Sequence, residues 1–349
     1  MSIYLYPFDQ FQRYFTVAKI VTGLSSLDST QNVLEVGANA HCGLREFLPN
    51  ANITFSDIEE QPLAEDVNFI RADATNLPFS DNEFDFVIST DVLEHVPVEI
   101  RKNFINECHR VAKVAFILAC PIDNGETPAI EMVANETFRR LHGQDYIWLQ
   151  EHQEEGLPSI ESINEIIERM DVPFCRFEHG RLDWWQALIQ MHFIKEAETE
   201  MRDTCAKMDE YYNRYLYHQD TGGACYRSFW VLGKDELPDS CLAAVESASA
   251  PHLAEMKVYQ SMCSAIENMV YSTQTLNGLL TQHKEASQAA AQEAEHSKRE
   301  AAGSKQEAEQ SRQNAEQSKQ EAAGSKQDAE QSKQEAAGSK QEAEQSRQE

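Results

Sequence analysis

The 349-residue sequence predicts a doubly wound α/β fold with a mostly parallel sheet, and three observations carry that expectation. Between residues 32 and 121, short apolar runs alternate with stretches of helical period. This is the pattern of right-handed strand–helix–strand crossovers that cover a parallel sheet on both faces. The first run ends at Gly37 and the second closes 20 residues later at an acid, Asp57, the spacing of a nucleoside-binding half of such a sheet. The last third of the chain follows a seven-residue period instead, so a long helix or coiled coil is appended to the sheet domain.

Taken in order, residues 1–29 contain "FDQFQRYFTVAKIVTGL", where Phe8, Phe11, Phe15 and Ala18 recur at three- and four-residue spacing. That stripe predicts an amphipathic helix packing on the domain that follows. The main domain spans 30–238. "NVLEVG", "NITFSDI", "VNFIRAD", "FDFVIST" and "VAFILAC" read as five strands, and "PVEIRKNFINECHRVAK" puts Ile100, Phe104, Ile105, Cys108 and Val111 on one helical face between the fourth and fifth. Beyond Pro121, "IESINEIIERM" and "RLDWWQALIQMHFIKEAETEM" read as helices, "PFCRFEH" and "YRSFWVLG" as strands. Residues 124–158, rich in Asn, Gly, Glu, His and Gln, read as a helical insertion or lid.

The tail spans 245–349. Positions 256, 259, 263, 266, 270, 273 and 280 form a first heptad seam, and from Ala294 to Ala343 alanine recurs every seventh residue with serine three residues after each. Ala and Ser bury little area, so such a seam holds a partner weakly. Gly303, Gly324 and Gly338 each cost about 1 kcal/mol of helix relative to Ala. Two outcomes stay open: a rod roughly 84 Å long at ~1.5 Å per residue, or a frayed, solvated chain. A rod would offer a route to a homo-oligomer or to a partner protein.

Charge narrows the function. The formal net charge is −28, and residues 1–293 hold 21 basic against 46 acidic side chains, a net of −25. A surface this negative disfavours nucleic acid, which is bound mainly through Lys and Arg that displace counterions. No stretch reaches the roughly 20 apolar residues of a membrane span, and the opening residues are broken by Pro7, Asp9 and Arg13; a cytoplasmic protein is expected. The eight cysteines are scattered with no C-x-x-C pair, which suits reduced thiols. Cys42 has no evident base beside it and reads as a small loop residue.

The loop "VLEVGANAHCG" then decides between ligands. A dinucleotide loop needs further glycines so that its backbone can approach a pyrophosphate, yet Asn39 and His41 stand at those positions. S-adenosylmethionine has an adenosine but no pyrophosphate, and the missing glycines favour it. Taken singly, Glu35 and Asp57 could equally be solvated strand-end acids.

This region resembles the class I S-adenosylmethionine-dependent methyltransferases, of the type 11-like kind. The resemblance rests on "VLEVGANAHCG", on "SDIE", on "RADATNLPFSDNEFDFVIST" and on "DVLEHVPVEIRKNFINECHRVAK". It covers residues 30–121 well and thins toward 234. It implies a Rossmann-like sheet that binds S-adenosylmethionine. Glu35 would order the loop near the methionine part and Gly37 would let the chain pass beneath the cofactor, with Asn39 beside its carboxylate end. Asp57 would accept from the ribose hydroxyls, Ile58 would lie against the adenine, Asp73 would accept from the adenine amino group, and Ala74 would offer its amide.

Ligands of such sheets lie beyond the carboxyl ends of the strands, which points to "STDVLEHVP". Asp91 and His95 are the candidate catalytic residues, with Glu94 between them; an imidazole has the pKa to remove a proton at neutral pH, and a carboxylate can orient it. A purely structural role for E-H-V-P, closing the crevice, stays open. No further ligand has the spacing to join Glu94 and His95, so no metal is expected. Trp184 and Trp185, with the aromatic groups of the lid, could stack on a sugar ring, or could simply be core. The segment is similar to bacterial methyltransferases linked to surface-polysaccharide assembly, which implies a small polar or glycan acceptor; O-methylation is expected because the sequence shows no thiol-, amine- or nucleic-acid-handling feature. The alternative is a methyltransferase-like scaffold without turnover, assembling through its coiled-coil tail.

Overall fold

The computed structural model describes residues 2–25, 30–61, 63, 64, 66–238 and 253–345, without the side chains of 253–256 and 341–345. The start of the tail expected at residue 245 falls outside the described residues.

Seven strands form one sheet: β1 Asn32–Val36, β2 Asn52–Asp57, β3 Phe69–Arg71, β4 Phe84–Thr90, β5 Ala112–Pro121, β6 Phe174–Arg181 and β7 Cys225–Gly233. Each stands where a strand is read in the sequence. The order is β3-β2-β1-β4-β5-β7-β6. β1 runs parallel to both β2 and β4, with Leu34 opposite Thr54 and Val87, whereas β7 is antiparallel to β5 and β6, with Trp230 opposite Leu118 and Arg176. The chain leaves β1 in one direction to build β2 and β3 and returns to its other side as β4. The crevice beyond the carboxyl ends of β1 and β4 is therefore the topological switch point, where a ligand site is expected.

Alternate side chains of the inner strands feed two cores. Val33, Phe86, Ile88, Ile117, Phe229 and Val231 face helices α1 (Phe8–Leu24), α4 (Thr127–His142) and α7 (Leu182–Ala197). Leu34, Val87, Phe116, Leu118, Trp230 and Leu232 face α3 (Arg101–Val111) and α6 (Ile160–Glu168). A short α2 (Leu44–Phe47) follows the β1 loop. The expected lid consists of α4 and α5 (Ile147–Glu155); α4 packs Phe138 on Phe193 of α7 with ring centroids 4.9 Å apart.

Helix α1 buries more than its apolar stripe. Phe8, Phe11, Val17 and Ile20 are fully buried, and so are Gln12 and Thr16. Gln12 Nε2 donates to Asp220 at 2.9 Å, and Thr16 and Tyr217 share a hydroxyl hydrogen bond of 2.6 Å. Tyr217 is set by α8 (Arg202–Tyr211) and the π-turn Tyr212–Leu216 that continues it. Trp184 and Trp185 belong to the core, 1% and 2% exposed. Trp184 sits between Tyr212 and Tyr259, and Trp185 stacks on Tyr226 at 3.9 Å. Both rings are held by packing, and Trp185 also lines the crevice at the switch point.

The chain forms two compact units, residues 1–271 and 272–349. Helix α9, Leu253–Gln345, begins in the first. There, Tyr259, Cys263 and Val270 are buried, and Tyr259 donates its hydroxyl to the Met208 carbonyl at 3.2 Å. The early heptad positions are thus covered by the chain's own domain rather than by a second helix. In the second unit α9 continues to Gln345, and every described side chain from 275 to 340 is exposed.

Candidate active site

A cavity of about 1150 Å³ opens at the switch point, floored by the β1 and β4 loops and walled by α1, α5 and α7. It brings together all the residues singled out in the sequence: Glu35, Gly37, Asn39, Asp57, Ile58, Asp73, Ala74, Asp91 and His95 line it.

One end is built from the loops after β1, β2 and β3. Gly37 has φ +75°, and a Cβ there would meet Val92 at 2.2 Å, so only glycine lets the chain turn here. Asn39, at φ 49°, donates its backbone N–H to Asp57 Oδ2 at 2.9 Å, and its side-chain oxygen accepts from Ala40 N–H at 2.6 Å. The asparagine that replaces a dinucleotide-loop glycine therefore caps its own turn, one of the few non-glycine residues at ease with a left-handed backbone. Asp57 Oδ1 also accepts from Glu59 N–H at 3.2 Å, and Asp73 Oδ1 takes both the amide and the hydroxyl of Thr75. Ile58 is 62% exposed at this end. Glu35 is buried on the wall; burial pushes its carboxyl up to about 8, against the opposing pull of Arg13 and Tyr14. One of its oxygens, Oε2, has no hydrogen-bond partner among the described residues.

The other end draws on distant parts of the chain. Asp91, at φ 54°, is gripped by Arg227, whose Nε donates to both its oxygens at 2.7 and 3.0 Å and whose Nη2 also contacts it; Arg13 stands 3.5 Å away. Arg227 further contacts Asp9 and donates to Gln12 Oε1 at 2.6 Å. Two acids and two guanidinium groups thus form one partly buried cluster tying α1, β4 and β7 together. A carboxylate held on both oxygens by guanidinium groups is fixed in position and ties the β4 loop to α1 and β7.

His95 lies on the 3₁₀ turn Leu93–His95, its Nδ1 2.8 Å from Glu151 of α5 and its ring 5.4 Å from Trp148. Burial, then the neighbouring His152, push its pKa down to about 4, so the ring is neutral at physiological pH. The sequence alone does not reveal Arg227, Arg13, Glu151 or His152 as site residues. The available signals are a charged residue inside the apolar run of β7 and an Asp9–Arg13 pair at helical spacing, joined at 3.0 Å.

Residues 34–119 match the family described as "Methyltransferase domain". The fold and this match support a class I methyltransferase domain over that part of the chain. Among curated proteins, the demethylmenaquinone methyltransferase of Listeria welshimeri is 28% identical over 166 residues, 44% of this chain and 61% of that protein. The chain thus spans about three fifths of the length of these relatives. An uncharacterized protein of Haemophilus influenzae is 43% identical over 58 residues, 17% of this chain and 23% of that protein. Among solved structures, phosphoethanolamine N-methyltransferase 2 of Haemonchus contortus, in complex with S-adenosyl-L-methionine, is 15% identical, covers 63% of this chain and 52% of that one, and has a TM-score of 0.40. Among the described residues, no helix is long and apolar enough to cross a membrane.

Proposed function

We propose that the protein is an S-adenosylmethionine-dependent methyltransferase acting on the hydroxyl of a small polar or glycan acceptor. The observation that carries this is the two-ended cavity, with a nucleoside-type cradle at Gly37, Asp57 and Asp73 and a lidded, aromatic mouth at His95 and Trp148. The cradle suits the cofactor: its turn at Gly37 tolerates no Cβ, which would run into Val92, and the unpartnered Glu35 Oε2 gives a cationic group a place to bond. Asp57 and Asp73 would hold the ribose and the adenine amino group, Ile58 and Ala74 the adenine, Asn39 and Glu35 the amino-acid end.

When bound, S-adenosylmethionine supplies an electrophilic methyl group on a sulfonium. The chain's own part is alignment and exclusion of water. Helix α5 covers the mouth, and Trp148, 41% exposed, presents a ring on which a sugar could stack. Asp91 anchors the β4 loop through Arg227 and Arg13. His95, neutral and beside Glu151, stands at the mouth where an acceptor would enter. The acceptor belongs to surface-polysaccharide chemistry in the cytoplasm, and the exposed part of α9 meets a second copy or a partner protein.

Calorimetry with S-adenosylmethionine tests the core of this reading. Binding by the full chain, lost in Asp57→Ala, supports it; no binding, or binding indifferent to that change, would remove the enzyme and leave a scaffold acting through its tail. Labelled cofactor incubated with separated glycan, lipid and small-molecule pools then identifies the acceptor class.

A further inference from the structure

A second feature of the acceptor end is independent of the cofactor. Glu94 is completely buried, yet neither of its carboxylate oxygens has a hydrogen-bond partner among the other described side chains and amides. Among the described residues no lysine or arginine pairs with that carboxylate; Arg101 reaches only its backbone carbonyl, at 3.5 Å. A buried acid left this way is costly unless a proton or a cation accompanies it.

What faces Glu94 are two imidazoles. Its Oε1 lies 4.0 Å from His95 Nε2 and 3.9 Å from Nε2 of His152, which α5 brings in from the lid. The far side of the His152 ring fixes its tautomer. His152 Nδ1 stands 2.9 Å from Glu131 Oε1, an oxygen that also accepts from Tyr226 at 2.7 Å, so Nδ1 is the donor there. His95 Nδ1 stands 2.8 Å from Glu151 Oε2 but without the geometry of a hydrogen bond. The Nε2 of His152 is therefore free to act as a ligand atom beside Glu94, and the Nε2 of His95 stands on its other side. Three potential ligand atoms, all within 4.8 Å of one another, converge here.

We propose that Glu94, His95 and His152 form a divalent metal site at the acceptor end of the cavity, of the zinc, cobalt or iron(II) class. Two nitrogens and one carboxylate are the donor set of such ions; magnesium and calcium prefer all-oxygen shells. Metal–ligand bonds of about 2.0–2.1 Å place tetrahedral ligand atoms roughly 3.3 Å apart, so the three groups, with Glu94 Oε1 at 3.9–4.0 Å from the two nitrogens and all atoms within 4.8 Å, draw inward by on the order of 1 Å to bind. The Glu131–His152 pair has the carboxylate–imidazole arrangement that orients metal-bound histidines. Glu94, His95 and His152 also line the cavity, so a three-ligand ion keeps a coordination position for an acceptor oxygen and lowers that oxygen's pKa. This last role rests on the methyltransferase reading; the site itself does not.

The test uses the full chain, stripped with a chelator and dialysed against Zn(II) or Co(II) under excess Mg(II), which occupies the acidic surface. One tightly held cation per chain is expected, with Co(II) showing the ligand-field absorption of nitrogen ligation. Glu94→Gln and His152→Ala should abolish saturable binding. Glu131→Gln, which touches only the positioning shell, should weaken it roughly 10–100-fold. Circular dichroism checks that each variant is folded, and cofactor affinity is measured separately. A chain that binds the ion but not S-adenosylmethionine would break the transferase reading and keep the site. No stoichiometric uptake, as when a water molecule alone bridges the three groups, would overturn the proposal. Uptake unchanged in both Glu94→Gln and His152→Ala would do the same.

Discussion

The two ends of the cavity are assembled differently. The cradle end comes from one continuous stretch, residues 35–74, through backbone turns after three adjacent parallel strands. The acceptor end gathers Asp9 and Arg13 from the first helix, Glu94 and His95 from the β4 loop, Glu131, Glu151 and His152 from the lid, and Arg227 from the last strand. Local backbone chemistry shapes the first end and long-range charge pairing the second. The first should therefore respond to steric and conformational changes, the second to loss of a single charge.

The largest effect should come from Arg227→Ala. It leaves Asp91 and Asp9 with Arg13 as their one guanidinium partner in a poorly solvated place, and loss of one member of such a cluster costs on the order of 3 kcal/mol or more. Thermal unfolding should report it as a clear drop in Tm. A variant as stable as the parent would show that the cluster is incidental to the acceptor end.

Next comes Gly37→Ala, at the cradle. The new Cβ at 2.2 Å from Val92, on a backbone at φ +75°, should cost ~1–3 kcal/mol from overpacking and abolish cofactor binding by calorimetry. Retained affinity would mean that the turn is not what shapes the cradle.

Glu35 sharpens the contrast through pH. Its carboxyl is raised from an ordinary 4.5 to about 8 in the folded chain. The folded state thus holds a proton that the unfolded state releases above about 4.5. The associated stability is fully present below that pH and is lost as pH rises through 8, with a limiting slope of about 1.4 kcal/mol per pH unit. Denaturant titrations at several pH values should show this slope flattened in Glu35→Gln. A sulfonium placed nearby favours the ionised form, so cofactor binding near pH 7 should release a proton, visible as a buffer-dependent binding enthalpy that disappears in the same variant.

The smallest effect lies outside the cavity. A methyl group added at Gly324 would meet no described atom within 4 Å, so Gly324→Ala should strengthen the helix locally by about 1 kcal/mol. Helicity by circular dichroism should rise slightly and cofactor affinity stay unchanged. A change in affinity would mean that the tail acts on the site.

These differences explain what the sequence reveals. The strands of the sheet are legible because parallel strands covered on both faces are written as unbroken apolar runs, such as "FDFVIST" and "VAFILAC". Gly37 and Asp57 are legible because a turn and a strand-end acid keep a fixed spacing along the chain. Arg227 and His152 are not, because their partners lie far away in sequence; Arg13 shows only its local pairing with Asp9, which does not point to Asp91. Gln12 and Thr16 look like the polar side of α1 and are buried all the same, since Asp220 and Tyr217 satisfy them. Tyr259, Cys263 and Val270 have the same heptad spacing whether the chain's own domain or a second helix covers them, so periodicity alone cannot name the covering surface.

The place of β7 bears on how the molecule is made. It is the last strand along the chain, yet it lies between β5 and β6, which precede it. During synthesis the sheet must wait with a gap between those two strands until residues 225–233 leave the ribosome. Until Arg227 arrives with them, the acids at positions 9 and 91 have only Arg13 to offset them. A nascent chain halted before that point would hold a finished cradle beside an unfinished acceptor pocket, so activity should switch on late in translation rather than accrue gradually.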